Sequence, residues 1–528
     1  MCDYHGMPYR DEVSWDVDTI YLSHDTRELS LRDFDHLDQK DLVPIISALE
    51  YNTWFTKLRA SGMKLTHESL ERILHVMKKS LSIEELYLDN LAVKWEFAHK
   101  LSLALIANNN TPLHTLDLSH NLIEDKGASS LCGIIAKIMQ GANHLSNPLA
   151  RVPKGLVHLS LGHCGLSSKG VNQLAHALSL NKFMPNSLTY LNLSGNNLRD
   201  DINNLCNFLA QPNTITYLDI SGTDIALETI FGALLRGCAT NMVHLNVSRN
   251  AFSTKKTKEV PPSFKQFFTS TLSLKKLIMA YCKLPLEALK NLLLGLACNE
   301  STTDMELDMS YNNLGAQGAH VLESCIHGIR CIGTLDISDN NMDVELASVV
   351  TAISKNKSIK HLSMGRNLNN MKAKHVSSVM DALVQMIQQP IRQKYVLSTN
   401  LSSVYTKRDD QSATYKQVGV RAREGMPLHA ATENRSCRRQ TSCADSTIVG
   451  IADRSYSPTT SRTGLLREGK REGENGVEEG RQAALRRDSG CDSKSYKNIG
   501  EPSRRLNRKL HWSSCCLTLF MGGASITS

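Results

Sequence analysis

No stretch of the 528-residue chain approaches the roughly 20 consecutive apolar residues that span a bilayer as a helix, so a helical membrane protein is excluded. The N-terminus, Met1-Cys2-Asp3-Tyr4-His5, has neither a basic start nor an apolar run, and no secretory signal is expected. The 14 Cys then read as reduced thiols of a soluble intracellular protein and not as a disulfide framework. None lies in a Cys-x-x-Cys pair, and no Cys/His spacing fits zinc, so no metal or other cofactor is expected. Catalytic signatures are also missing. There is no Gly-x-x-x-x-Gly-Lys-Ser/Thr loop and no Gly-x-Ser-x-Gly turn, and His67-Glu68 lacks a second His at metalloprotease spacing. An enzyme is not expected.

An excess of positive charge is missing from most of the chain as well. The net charge of +8 is carried by the C-terminal quarter, with 24 Lys and Arg against 14 Asp and Glu from residue 391 onward. That leaves 36 against 38 in the first 390 residues, so no nucleic-acid partner is expected.

What the chain does have is a repeat. Leu-x-Leu-x-x-Asn recurs with its clearest copies at Leu116–Asn121, Leu191–Asn196, Leu245–Asn250, Leu307–Asn312 and Leu335–Asn340. Weaker copies begin at Leu29, Leu58, Leu86, Leu159, Leu218, Leu277 and Leu362. The twelve first leucines are spaced by 29, 28, 30, 43, 32, 27, 27, 32, 30, 28 and 27 residues, the period of long leucine-rich repeats. Alternation in Leu116-Asp117-Leu118 turns both leucines to one face of a short strand and Asp117 to the other. Asn121 falls where the chain turns inward, so that its amide can satisfy backbone groups of neighbouring turns. Cys164, Thr223 and Cys282 take that place elsewhere. The second half of each repeat has helical spacing, as at Leu131, Ile134, Ile135 and Ile138, or Leu174, Ala177 and Leu178. Gly127, Gly170 and Gly318 recur on the approach to those helices, where a tight turn is expected.

The fold expected is therefore α/β. It is a leucine-rich-repeat solenoid, a horseshoe with a parallel sheet on its concave face and helices outside, followed by a disordered tail. The domains expected are a linker over 1–25, about twelve repeats over 26–388, and a basic disordered tail over 389–528. Twelve strands about 4.8 Å apart span on the order of 55 Å. The long spacing of 43 marks an insertion around Met139–Gly155, and Lys255–Pro262 reads as a solvated loop. In the tail, Arg438–Thr441 and Arg486–Ser489 have the form of basophilic kinase sites, and Cys515-Cys516 that of an acylation site; chance accounts for both.

One constellation is patterned. The residue between the two leucines is Asp117, Asn192, Asp219, Asn246, Asp308 or Asp336 in six repeats, a column able to present a negative strip to a basic partner. The competing reading is that Asp and Asn simply keep this face of the sheet solvated. His158, His244 and His361 each precede a first leucine, but in the fifth, eighth and twelfth repeats. They stand too far apart to share a metal and read as surface residues.

Several stretches are more specific than the repeat: Glu12–Leu22, Asp41–Asn52, Glu259–Phe268, Leu292–Asn299 and Leu383–Gln388. Over residues 8–388 the chain resembles the CARMIL family, the capping protein, Arp2/3 and myosin I linkers. The resemblance implies a cytosolic scaffold recruited to the plasma membrane, regulating actin filament capping and Arp2/3-dependent assembly at the lamellipodium. Capping protein, Arp2/3 and myosin I are the partners it implies. Family members carry a pleckstrin-homology-like domain before this region, and a dimerisation segment and capping-protein-binding region after it. None of these is recognisable here, so the chain reads as a truncated form with an unrelated tail from residue 389. Without a terminal cap, Leu362, Met364 and Leu383 are expected at an open, self-associating end. The rival reading keeps the solenoid and makes it a regulator of an enzyme, like ribonuclease inhibitor or the Ran GTPase activator.

Overall fold

Each first leucine lies one residue before the end of a strand only three to five residues long. The computed structural model describes residues 1–137, 155–199, 201–253, 260–368, 373–388, 395–398, 415–417 and 433–435. The strands are β1 (Glu28–Ser30), β2 (Lys57–Arg59), β3 (Glu85–Tyr87), β4 (Thr115–Asp117), β5 (His158–Ser160), β6 (Tyr190–Asn192) and β7 (Tyr217–Asp219). They continue with β8 (His244–Asn246), β9 (Lys276–Ile278), β10 (Met305–Asp308), β11 (Ile332–Asp336), β12 (His361–Ser363) and β13 (Tyr395–Ser398). All thirteen form one parallel sheet in chain order. Its register aligns the twelve leucines, from Leu29 against Leu58 through to Leu335 against Leu362, as one unbroken row.

Among the described residues, twelve helices of seven or more residues follow β1–β12 in turn. They are α1 (Leu42–Ala48), α2 (His67–Lys79), α3 (Trp95–Ala107), α4 (Glu124–Lys137), α5 (Ser168–Leu180) and α6 (Asn203–Ala210). The remainder are α7 (Leu227–Gly237), α8 (Pro262–Ser270), α9 (Leu286–Ala297), α10 (Gly315–Cys325), α11 (Leu346–Lys355) and α12 (Ala373–Gln388). Local sequence explains them: in α2, the Thr66 hydroxyl accepts from Ser69 N–H, Ile73, Leu74, Val76 and Met77 are buried, and Lys78 and Lys79 close the last turn. Packed helices need about 8–10 Å each where strands need about 4.8 Å, so the sheet takes the concave side.

Asparagine knits the repeats together. Asn340 is fully buried; its Nδ2 donates to the carbonyls of Met309 and Ile337 (both 3.0 Å), and its Oδ1 accepts from Asn312 N–H at 2.9 Å. Cys164, Thr223 and Cys282 fill the same place with one donor each, to Leu118, Ile220 and Val247 carbonyls. Gly127, Gly170 and Gly318 depart from expectation. They lie inside α4, α5 and α10, where a Cβ would collide with Ile123, Asp125 and Leu314 respectively. Close packing of the first helical turn, not a turn before it, requires glycine.

The ends differ too. Within the segment 1–25, expected as a linker, a helix over Asp11–Asp16 runs into a π-helical turn over Val17–Tyr21. Tyr21 is buried against Phe34 and Phe55 and belongs to the core. At the other end the sheet runs past residue 388, since β13 pairs with β12. Leu362, Met364 and Leu383 are correspondingly buried (2, 1 and 5% exposed), correcting the expectation of an open end. A further antiparallel pair, β14 (Tyr415–Gln417) and β15 (Glu433–Arg435), follows. The rest of the tail and the insertion at 139–154 lie outside the described residues, as does most of the Lys255–Pro262 loop. Among the described residues, no helix is long and apolar enough to cross a membrane.

Candidate functional site: the sheet face

Register turns sequence columns into physical rows. The residue after each first leucine forms one row, and the six Asp and Asn positions fall in it: Asp117 on β4, Asn192 on β6, Asp219 on β7, Asn246 on β8, Asp308 on β10 and Asp336 on β11. Ser160 and Ile278 interrupt the row on β5 and β9.

All six are half-buried, and all six share a local task. The Oδ1 of each accepts the backbone N–H of the serine two residues on, at 2.8–3.1 Å: Ser119, Ser194, Ser221, Ser248, Ser310 and Ser338 in turn. This closure of the strand's exit explains why Asp or Asn is paired with Ser in Leu-Asp-Leu-Ser. The second carboxylate oxygen is left for other partners. In Asp219 it accepts from Asn246 Nδ2 at 2.9 Å. Burial raises the pKa of Asp336, and the neighbouring carboxylates Asp308 and Glu306 push it further.

The residue before each first leucine forms a second row, and here four rings stack across consecutive strands. His158, Tyr190, Tyr217 and His244 lie with centroids 3.8, 4.0 and 4.3 Å apart and planes within 21° of parallel. Burial raises the pKa of both phenols, Tyr190 and Tyr217. At the β1–β3 end Arg59 crosses between the rows to Glu28 (2.6 Å) and lies over the Tyr87 ring, while Lys57 pairs with Glu85 (2.9 Å) within the second row. Lys276 pairs with Glu306 at 2.7 Å on β9 and β10.

With this geometry in view, the comparisons are decisive. The family model for the CARMIL family, LRR domain, matches residues 1–405. The chain belongs to the CARMIL family. It is 44% identical over 392 residues to human capping protein, Arp2/3 and myosin-I linker protein 3, covering 74% of this chain and 28% of that protein. Against Protein CARMIL of Dictyostelium discoideum the identity is 30% over 393 residues, 74% of this chain and 36% of the relative. A Rho GTPase-activating protein of the same organism, gacW, is 24% identical over 407 residues, covering 76% of this chain and 34% of that protein. The chain thus spans about a third or less of the length of these relatives. The family match runs past the repeat boundary expected at 388.

Within this CARMIL repeat domain, two features went unread in the sequence. His158 and His244 are not ordinary surface residues but the ends of the ring stack, a role visible only once Tyr190 and Tyr217 are seen to share their column. A second asparagine ladder runs where helices hand over to strands. Asn108, Asn181, Asn299 and Asn356 are buried there and donate to carbonyls of the preceding repeat.

The ring stack also sets a pH dependence. Burial lowers the pKa of His158 and His244 below the ordinary 6.5, because it disfavours the charged ring. The folded chain then binds fewer protons than the unfolded one just below pH 6.5. Their contribution to stability is complete above that pH and lost as pH falls through the folded values. Changing both to Phe keeps the stack without the titration. The urea midpoint of this variant is expected to fall less than the parent's between about pH 7.5 and pH 5.5.

Proposed function

We propose that the chain is a non-enzymatic docking scaffold of the actin cytoskeleton, holding the basic surface of an actin-regulatory protein against its sheet face. Charge on that face is the observation that carries the reading. Among the Lys, Arg, Asp and Glu of the two outward rows of β1–β12, the cations Lys57, Arg59 and Lys276 are all spent on ion pairs. Asp117, Asp219, Asp308 and Asp336 remain without a cationic partner among the described residues. Unpaired charge of one sign across a rigid surface steers and orients an oppositely charged protein. The relatives' names supply the candidates: capping protein, Arp2/3 and myosin I. The setting carried over with them is cytoplasmic and cytoskeleton-associated, at the plasma membrane and the lamellipodium.

The test uses immobilised full-length chain and each purified candidate, beside a variant with Asp117, Asp219, Asp308 and Asp336 all changed to Asn. Asn already closes the strand exit at Asn192 and Asn246, so the variant is expected to fold. A candidate retained by the parent should be held at least about tenfold more weakly by the variant, with the difference shrinking as salt rises. If no candidate is retained, the reading fails. The Rho GTPase-activating relative motivates a second reading, in which the solenoid acts on a small GTPase. A stoichiometric change in GTP hydrolysis, without binding to any of the three candidates, would favour it.

A further inference from the structure

Three of the four unpaired carboxylates recur at a regular spacing, the fourth, Asp336, standing next to Asp308 on β11, and this constrains the shape of a partner if the sheet face is the docking surface proposed above. Asp117, Asp219 and Asp308 lie on β4, β7 and β10, three strands apart each time. At about 4.8 Å per strand the row repeats its negative charge every 14 Å or so. Between them stand neutral groups: Ser160, Asn192, Asn246 and Ile278. The amides are already engaged, Asn192 Nδ2 on Ser160 Oγ at 3.2 Å and Asn246 Nδ2 on Asp219.

The rings define what can lie along this row. Tyr190 and Tyr217 stand two residues upstream, about 7 Å along the strands, and their stack forms a continuous wall beside Asn192 and Asp219. An α-helix with its side chains is roughly 10–12 Å across, so one centred on the carboxylate row meets the rings. An extended backbone, at about 4.8 Å between neighbouring chains, does not. Four residues of extended chain cover about 13–14 Å, the distance from one unpaired carboxylate to the next.

We infer that the sheet face from β4 to β10 takes an extended, cationic polypeptide segment, laid across the strands, with basic residues at every fourth position. The cations meet Asp117, Asp219 and Asp308 in turn, and the ring wall fixes the path of the backbone between them. Each carboxylate keeps its Oδ1 on the serine N–H and receives the incoming cation through the other oxygen, which in Asp219 also accepts from Asn246 Nδ2. Arg and Lys both suit such a contact. This assignment rests on the scaffold reading of the same face.

The test uses three synthetic peptides of equal charge and the full-length chain. One carries Arg at positions 1, 5 and 9 of a Gly/Ser/Pro background that stays extended. The second has the same composition with the three Arg adjacent. The third is a helix-forming peptide with its Arg eleven residues apart, which in a helix fall on one face about 16–17 Å apart, the same-face spacing nearest to the 14 Å repeat. The spaced extended peptide is expected to bind about tenfold more tightly than either control at physiological salt. Asp219→Asn is expected to reduce that preference to about twofold, with an unchanged melting temperature as the folding control. Equal affinity for the spaced and adjacent peptides would mean attraction without register and would overturn the inference, as would preference for the helical peptide. Failure here is distinguishable from failure of the scaffold reading. An actin-regulatory protein that needs the four carboxylates, with peptides bound indifferently, leaves that reading standing and removes this one. Register-dependent peptide binding, with none of the three candidates retained, does the reverse.

Discussion

Changing Asn340 to Ala should cost about 3–5 kcal/mol of stability, because it strands buried backbone groups on two repeats at once. The side chain is wholly buried and carries bonds in both directions. Nδ2 serves the Met309, Ile337 and Ser338 carbonyls, and Oδ1 receives Asn312 N–H. Asn340 N–H in turn donates to Asn367 Oδ1 at 3.0 Å, so the residue is the middle link of a chain from Asn312 to Asn367. Ala leaves those groups in an apolar interior with no water to replace the lost amide, at about 1–3 kcal/mol for each left unpaired. Asn340→Thr should recover part of the loss, since the Thr223 hydroxyl serves the Ile220 carbonyl at 2.7 Å from the equivalent place. Urea denaturation measures the total. Hydrogen exchange at Asn312 and Leu314 tests its origin, because these amides should lose protection before those of β1–β4. A uniform loss along the chain would mean that Asn340 acts through global stability and not through the ladder.

How much of this was legible in the sequence depends on whether a feature keeps a fixed offset from the first leucine. The strand register was legible because Leu29 to Leu362 mark it themselves, and Asn121, Asn196 and Asn340 follow at a constant distance. The Asp and Asn row was legible for the same reason. Its partner serines stood in plain view, yet their N–H bonds to Asp117 or Asp336 needed backbone geometry to be seen. The second ladder was harder. Asn108, Asn181, Asn299 and Asn356 precede their next first leucines by between six and ten residues, because the connecting loops vary in length. The ring stack kept its offset but mixed two residue types. His158 and His244 look isolated when histidine is followed alone, and become neighbours through Tyr190 and Tyr217 only when shape is followed instead. The terminal strand β13 carries no Leu-x-Leu pattern at all, which is why the sequence pattern stops short of it, at residue 388.

An effect as large is expected at Phe264, where Ala should cost about 3–5 kcal/mol. This residue belongs to the stretch Glu259–Phe268, and the structure shows why that stretch departs from the repeat. The short helix α8 brings Phe264, Phe267 and Phe268 to one face by its three- and four-residue spacings, against Phe231 of α7 and Phe252. All five rings are 0–1% exposed, and Phe264 sits edge-on to Phe231 at 4.7 Å, Phe252 at 5.0 Å and Phe268 at 5.1 Å. Removing it opens a cavity that rigid neighbouring rings close poorly, whereas Phe264→Leu keeps most of the volume and should cost roughly half as much. In a solenoid, each repeat is held by its neighbours alone. A weakened eighth repeat therefore uncouples β1–β7 from β9–β13, and the urea transition should broaden or split in addition to moving to lower concentration. A single transition with an unchanged slope would show that the two sides stay coupled through the sheet. The consequence reaches the proposed docking row, because Asp219 and Asp308 lie on opposite sides of this cluster, on β7 and β10. The spaced peptide should lose its advantage over the adjacent one in Phe264→Ala even where both halves remain folded, since the distance between the two carboxylates is held by the repeats between them.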